Sequence, residues 1–263
     1  MSGYAVGRFL NTLASWLPLP APQSMADFRT MVKGRAPQVY AQLYEPYAPF
    51  KGKDVAEVGA GWGYATDYYL TREPNRYYAL DVAHTDAIVA ECSANPLRDR
   101  LQVVTITPGA IPLPDACVDV VISENTFEHA VEYPRTIAEC HRILRPGGRL
   151  VAMWAPLFHS PYGAHLWHVI KFPWLHLMVE DDALRRLFYE GALPPALEYG
   201  HDYHWEQYAT LNRLRPRDFL APFQEGGWKI VHLTSYPIPG THAAPEPIQS
   251  LLTHGMRIVA EKR

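Results

Sequence analysis

Glu57-Val58-Gly59-Ala60-Gly61-Trp62-Gly63 places three glycines two apart behind an acid. Glycine takes positive φ readily and lets a ligand reach main-chain N–H groups without meeting a Cβ. An apolar run precedes this turn at 54–58 and a helix-like run follows at 64–70, so strand, turn and helix form a nucleotide-binding corner. Dinucleotide sites usually read G-x-G-x-x-G, with a pyrophosphate on the helix N-terminus. Here the spacing is G-x-G-x-G, and Glu57 would face a phosphate with like charge in a partly desolvated site. A ligand with a positive charge or hydroxyl donors suits it better. Asp81 ends a second short apolar run at 77–81. It is either a bidentate acceptor for ribose hydroxyls or a cap for the helix expected at 83–94, and the upstream glycine turn favours the ribose.

Histidine supplies the third kind of chemistry, since it exchanges a proton near neutral pH. His129 follows the apolar run 118–123, and His159, Tyr162, His165, Trp167, His168, Trp174 and His176 crowd together further on. Three readings compete for the crowded segment. One is an acceptor pocket with aromatic walls and an imidazole base. Another is a metal site, with His165 and His168 on one helical face and Glu180, Asp181 or Asp182 beside them. The third is a packed lid. No cysteine lies nearby, and the expectation is that no metal binds. His201-Asp202-Tyr203-His204-Trp205 is a second cluster that could face the same pocket.

The elements that must position these residues alternate along the chain. Strands are expected at 54–58, 77–81, 101–106, 118–123, 150–154, 228–233 and 254–263, with helices at 64–70, 83–94, 134–144 and from 215 onward. Regularity stops after Trp154, and 157–223 is rich in Pro, aromatics and His, with short helices expected at 164–172 and 180–190. At the N-terminus, 7–17 has apolar residues at helical spacing. It is too short and polar to span a membrane, and packing against the domain is a better reading than contact with lipid. Residues 25–47 read as one or two helices, with Tyr40 and Tyr44 one turn apart, either over the ligand or in the core.

The ordered motifs resemble the class I S-adenosylmethionine-dependent methyltransferases. Glu57 to Gly63 is similar to motif I, (D/E)-x-G-x-G-x-G. Leu113-Pro114-Asp115 and Val118-Asp119-Val120-Val121 resemble the "LP-acid … FDVV" segment, with Val118 in place of Phe. Glu128-His129 matches a Glu-His pair of one large branch, and Arg142 to Leu150 resembles "R-x-L-K-P-G-G-x-L". The matches run in order from Val55 to Trp154. The resemblance implies an α/β fold: a Rossmann-like, seven-stranded, mostly parallel sheet whose last strand runs antiparallel between the fifth and sixth, with an inserted aromatic and His-rich lid. It implies N-terminal helices over the cofactor at 1–50, a core of 51–156 and 224–263, and a lid at 157–223. The implied cofactor is S-adenosylmethionine. Glu57 would lie near its methionine amino end, Gly59, Gly61 and Gly63 would offer close backbone approach, and Asp81 would hold the ribose. Gly109 and Ala110 would lie beside adenine, with Ala110 standing where relatives carry an acid and its N–H left to serve the base. Val82, Ser123 and Tyr40 complete the implied cofactor set. For the acceptor, His129, His165 and His168 are the candidate bases.

Composition narrows the partners. Apolar residues make 48% of the 263-residue chain, enough for a substantial core. A net charge of −3 gives no general pull toward nucleic acid. The three cysteines, Cys92, Cys117 and Cys140, form no CxxC pair, which fits a reduced, cytoplasmic setting. The expected reaction is methyl transfer to an O, N or S atom of a small organic acceptor. Two alternatives are a non-catalytic or lyase-type protein of the same fold that binds the same cofactor, and an NAD-dependent oxidoreductase on a similar sheet.

Overall fold

A computed structural model describes residues 2–15, 36–194, 200–225, 227–238 and 248–263. The expected helical reading at 25–35, the end of the 7–17 stretch and residues 195–199 of the expected lid lie outside the described residues. The chain divides into two compact units. One comprises Arg29–Trp154, Arg217–Thr234 and Met256–Arg263. The other comprises Met1–Phe28, Ala155–Pro216 and Ser235–Gly255.

The first unit begins with α2 (Ala36–Tyr44), since α1 (Gly3–Leu13) belongs to the second. It continues with β1 (Asp54–Val58), α3 (Tyr64–Leu70), β2 (Arg76–Asp81), α4 (Thr85–Glu91), β3 (Leu101–Thr105), β4 (Val118–Glu124), α5 (Tyr133–Ile143) and β5 (Leu144–Trp154). The sheet order is β3-β2-β1-β4-β5-β7-β6, with β6 at Trp228–Pro237 and β7 at Thr253–Lys262. β1 pairs in parallel with β2 and β4, and β7 runs antiparallel to β5, with Leu150 opposite Ala260. The order reverses at β1 and β4, which opens a crevice beyond their carboxyl ends. β1, β2 and β4 are buried almost continuously, as parallel strands covered on both faces must be. One face carries Val55, Tyr77, Ala79, Val120, Ile122, Val151 and Val259, joined by Tyr44 from α2 and Tyr69 and Leu70 from α3.

Three local expectations need correction. Pro134 is the second residue of α5, because Tyr133 already opens the helix. The Arg145-Pro146-Gly147-Gly148 turn lies inside β5 and does not precede it. Its residues bulge out where the pairing jumps from Val118↔Leu144 to Val120↔Arg149, and Gly147 takes φ +74°. The helix expected at 164–172 is instead a run of turns. His165 takes φ +60°, and Gly163 sits so close to the Leu157 and Phe158 carbonyls that a Cβ would lie 2.2 Å from each. A helix admits neither feature, so His165 and His168 share no helical face.

The second unit has its own core of Phe158, Leu166, Ile170, Leu175, Leu184, Phe188 and Tyr208. It is built by α6 (Leu175–Met178), α7 (Asp181–Glu190), α8 (Gly200–Thr210) and α1, with α10 at Ile248–Leu252. Tyr4 and Leu10 of α1 pack on that core, and a Cβ on Gly7 would lie 2.7 Å from Leu187 Cδ1. The 1–50 segment therefore contributes α1 to the second unit and α2 to the first. α9 (Pro216–Glu225), at the end of the expected lid, closes on the first unit, where Phe219 receives the Tyr133 hydroxyl at its carbonyl.

Candidate functional site

β1 delivers Val58 to the turn that follows it, and the three glycines then do different work. All take positive φ: +81° at Gly59, +54° at Gly61 and +80° at Gly63. A Cβ on Gly59 would lie 2.1 Å from Thr126 Oγ1, and one on Gly63 would lie 2.9 Å from the Ile88 backbone. These two glycines exist for packing. A Cβ on Gly61 would meet nothing within 4 Å, so Gly61 is where a ligand can approach bare backbone. Trp62 lies against the His84 ring at 4.5 Å, which props the turn from the side of α4.

Asp81 ends β2 beside this turn and is 6% exposed. Its Oδ2 accepts the Gly61 N–H at 2.8 Å. Its Oδ1 accepts the Ala83 and His84 N–H groups at 3.0 and 3.1 Å and faces His84 Nδ1 at 3.2 Å. The carboxylate is thus fixed in orientation, and Oδ2 keeps one lone pair for a ligand hydroxyl. The cap reading was half right: Asp81 holds the N–H groups that lead into α4, while His84 is the N-cap residue. Val82 follows it with 57% of its surface exposed, an apolar platform at the mouth of the turn.

Glu57 is 3% exposed and accepts hydroxyl hydrogen bonds from Thr66 at 2.5 Å and Tyr77 at 2.9 Å, both to Oε2. Burial raises its pKa from 4.5 to about 7, more than the two hydroxyls lower it, and the charge of Asp81 raises it further. Sequence reading missed the second acid of this region. Glu124, at the end of β4, receives the Tyr69 hydroxyl, and burial holds its carboxyl well above the usual range. The strand pairing reveals it: β4 pairs with β1 so that Glu57 lies opposite Ile122, and Glu124 stands two residues further on the same face.

The remaining expected cofactor residues are placed as follows. Thr107 and Ala110 form a small hairpin in which the Ala110 N–H donates to the Thr107 carbonyl at 3.0 Å, so this N–H is already engaged and not left for adenine N1. Gly109 takes φ +71° and backs onto the first turn of α5, where a Cβ would lie 3.0 Å from those of Arg135 and Glu132. Ser123 is 1% exposed and donates to the Val58 carbonyl at 2.9 Å, tying β4 to β1 below the turn. Tyr40 stacks on Tyr44 and packs against the core. A groove of about 380 Å³ between α5 and α9, lined by Pro134, Ile137, His141, Pro222 and Trp228, contains none of these residues.

The histidines divide by unit. His129 sits in a 3-10 turn at Phe127–His129 of the first unit, five residues past the end of β4, and burial lowers its pKa to about 4. His165 and His168 belong to the second unit. His165 Nε2 lies 2.9 Å from the Pro156 carbonyl. His168 packs beside Trp167 and His204, and burial lowers its pKa to about 4. His176 and His201 each face a backbone carbonyl, of Phe158 and Gly191, at 2.6 and 2.8 Å. These carbonyl contacts fix the fold of the unit.

Among the described residues no helix is long and apolar enough to cross a membrane. Residues 56–152 match the family described as Methyltransferase domain. A probable S-adenosylmethionine-dependent methyltransferase of Mycolicibacterium smegmatis is 35% identical over 144 residues, 52% of this chain and 51% of that protein. A malonyl-[acyl-carrier protein] O-methyltransferase of Methylococcus capsulatus is 35% identical over 95 residues, 36% of this chain and 34% of that protein. The chain therefore spans about half the length of the first of these relatives and less of the second. Among solved structures, a geranyl diphosphate methyltransferase in complex with SAM aligns over 96% of this chain and 95% of its own, with a TM-score of 0.60 at 13% identity, a likeness of fold. The stretch 56–152 thus matches a methyltransferase domain, and the sheet order and the glycine turn behind Glu57 agree with that likeness.

Proposed function

We propose that the protein transfers a methyl group from S-adenosylmethionine to an O, N or S atom of a small organic acceptor by in-line displacement. The observation that carries this reading is the glycine turn at the crevice of β1 and β4. Gly61 opens bare backbone to a ligand there, Asp81 is held by three main-chain N–H groups at its edge, and two further carboxyls lie on the sheet face below. These groups suit a ribose and a cation and would repel a pyrophosphate. Gly61 would give the close approach, with Gly59 and Gly63 packing the turn that presents it, Asp81 would take the ribose hydroxyls, Val82 would support the adenine face, and Glu57 would serve the methionine amino end.

When bound, the cofactor supplies an already activated methyl group. The chain's task is then to align an acceptor atom with it, the proximity contribution, and to remove a proton where the acceptor carries one. His129 is our choice for that base. It lies in the same unit as the glycine turn, and burial holds it neutral at pH 7. His165 and His168 are the other two candidate bases. The malonyl-[acyl-carrier protein] O-methyltransferase relative supports an oxygen acceptor as the first class to screen.

Isothermal titration calorimetry with S-adenosylmethionine tests the reading. Wild-type protein should bind, and Asp81→Ala should lose at least about tenfold in affinity, the loss of one good charged hydrogen-bond acceptor. Unchanged affinity in the variant overturns the ribose assignment. Absence of binding by the wild type, with a nicotinamide cofactor binding in its place, overturns the cofactor.

A further inference from the structure

Asp81, His84, Trp62 and Gly61 form a closed ring of contacts at the glycine turn. Asp81 Oδ2 accepts the Gly61 N–H at 2.8 Å, and Asp81 Oδ1 faces His84 Nδ1 at 3.2 Å. The His84 and Trp62 rings lie 4.5 Å apart with a tilt of 45°, and Trp62 adjoins Gly61 in the chain. The imidazole is therefore held beside the carboxylate from two sides. His84 stands at the N-cap of α4 but makes no side-chain cap bond, and its ring meets Asp81 instead. A ring nitrogen 3.2 Å from a carboxylate oxygen donates, because two lone pairs at that distance repel. Nδ1 thus carries a proton, and Oδ1 accepts three hydrogen bonds: the Ala83 N–H at 3.0 Å, the His84 N–H at 3.1 Å and His84 Nδ1–H. A carboxylate oxygen offers about two lone-pair directions, so Oδ1 is saturated. Oδ2 has one direction filled by Gly61 and one open. A carboxylate that grips both hydroxyls of a ribose needs an open direction on each oxygen, and Asp81 has it on one.

Resting on the S-adenosylmethionine reading above and narrowing it, we propose that His84 is a positioning residue that closes Oδ1 of Asp81, so that Asp81 reads one hydroxyl of the cofactor's ribose and not the pair. His84 acts through Asp81, and Trp62 backs the imidazole. No covalent bond changes. The consequence is a specificity. A ligand without the hydroxyl that meets Oδ2 loses a hydrogen bond to a charged acceptor, whereas a ligand without the other hydroxyl loses nothing at Asp81.

The test is calorimetry of the intact protein with S-adenosylhomocysteine and with its two monodeoxy forms, each lacking one ribose hydroxyl. In the wild type, removing one hydroxyl should weaken binding at least about tenfold and removing the other less than about threefold. His84→Leu opens Oδ1 to the second hydroxyl and should bring the two losses to within about twofold of each other. His84→Asn, whose amide nitrogen can stand where Nδ1 stands, should keep the wild-type difference. The two losses are compared within each protein, so a general weakening of the fold does not move their ratio. Nitrogen NMR of histidine-labelled wild type, assigned with His84→Asn, should place a proton on His84 Nδ1, and a proton on Nε2 with none on Nδ1 overturns the contact whatever His84→Leu does. Equal losses in the wild type overturn the single-hydroxyl reading and leave the cofactor reading standing. A difference that persists in His84→Leu overturns the role of His84. Failure of the wild type to bind S-adenosylhomocysteine overturns the cofactor reading and this one together.

Discussion

Glu57→Gln should stabilise the protein and do so only above about pH 5. In the folded chain the carboxyl is raised from 4.5 to about 7, chiefly by burial. A carboxyl raised on folding binds more protons in the native state than in the unfolded state. Its favourable contribution is fully present below pH 4.5, declines as pH rises, and is lost above pH 7. At roughly 1.4 kcal/mol per pH unit, the interval makes about 3 kcal/mol. Glu57 is 3% exposed, so solvent screening removes little of this. Glutamine keeps the shape and an oxygen for the Thr66 and Tyr77 hydroxyls but carries no titrating proton. Urea denaturation of wild type and variant at pH 5, 6, 7 and 8, followed on the transition of the unit that contains β1, reads the difference directly. The two should be within about 1 kcal/mol of each other at pH 5, and by pH 8 the variant should lead by about 3 kcal/mol. The same variant should bind S-adenosylmethionine more weakly, the trade of stability against function expected at a site. A gap that stays constant from pH 5 to 8 refutes the reasoning, because it means that Glu57 ionises in the folded protein as it does in the unfolded chain.

The glycines separate by substitution. Gly59→Ala should lose about 2–4 kcal/mol in denaturation, since its Cβ would lie 2.1 Å from Thr126 Oγ1 at φ +81°. Gly61→Ala should lose only about 1 kcal/mol, the left-handed backbone term, yet weaken cofactor binding more than Gly59→Ala weakens it per kcal/mol of stability. Ser123→Ala leaves the Val58 carbonyl without its buried donor and should reduce stability by about 1–2 kcal/mol, with cofactor affinity held to within a factor of about three. His129→Ala should lower kcat at least about a hundredfold on an acceptor that must lose a proton, with calorimetric cofactor affinity retained.

The first unit was legible because local signals and tertiary demands agree there. The apolar strands of β1, β2 and β4, the glycine turn and Asp81 all stand where the spacing placed them. The departures have identifiable causes. Apolar residues from Ala164 to Phe172 have helical spacing, but Gly163 packs against two carbonyls and His165 adopts the left-handed region, and such packing is written in no local pattern. The Gly-Gly turn before β5 was read as its boundary, yet the strand pairs on both sides of it. Glu124 went unnoticed because its meaning depends on register: only the pairing of β4 with β1 shows that it shares a face with Glu57. In the second unit His165, His176 and His201 each meet a backbone carbonyl, a use that residue density along the chain does not reveal.

The two ends of β1 and β4 treat their acids differently. At the amino ends Asp54 and Asp119 also stand side by side, and Asp119 Oδ2 accepts the Asp54 N–H at 2.9 Å. The chain neutralises that pair itself: Arg145 places one guanidinium nitrogen 2.8 Å from Asp54 and another 3.0 Å from Asp119. At the carboxyl ends Glu57 and Glu124 receive hydroxyls alone. Hydroxyls satisfy lone pairs but do not offset charge, so the upper pair remains an unfavourable arrangement that a Gln or Leu would relieve. The same two strands thus carry acids at both ends, one pair closed by an arginine of the chain and the other met by hydroxyls.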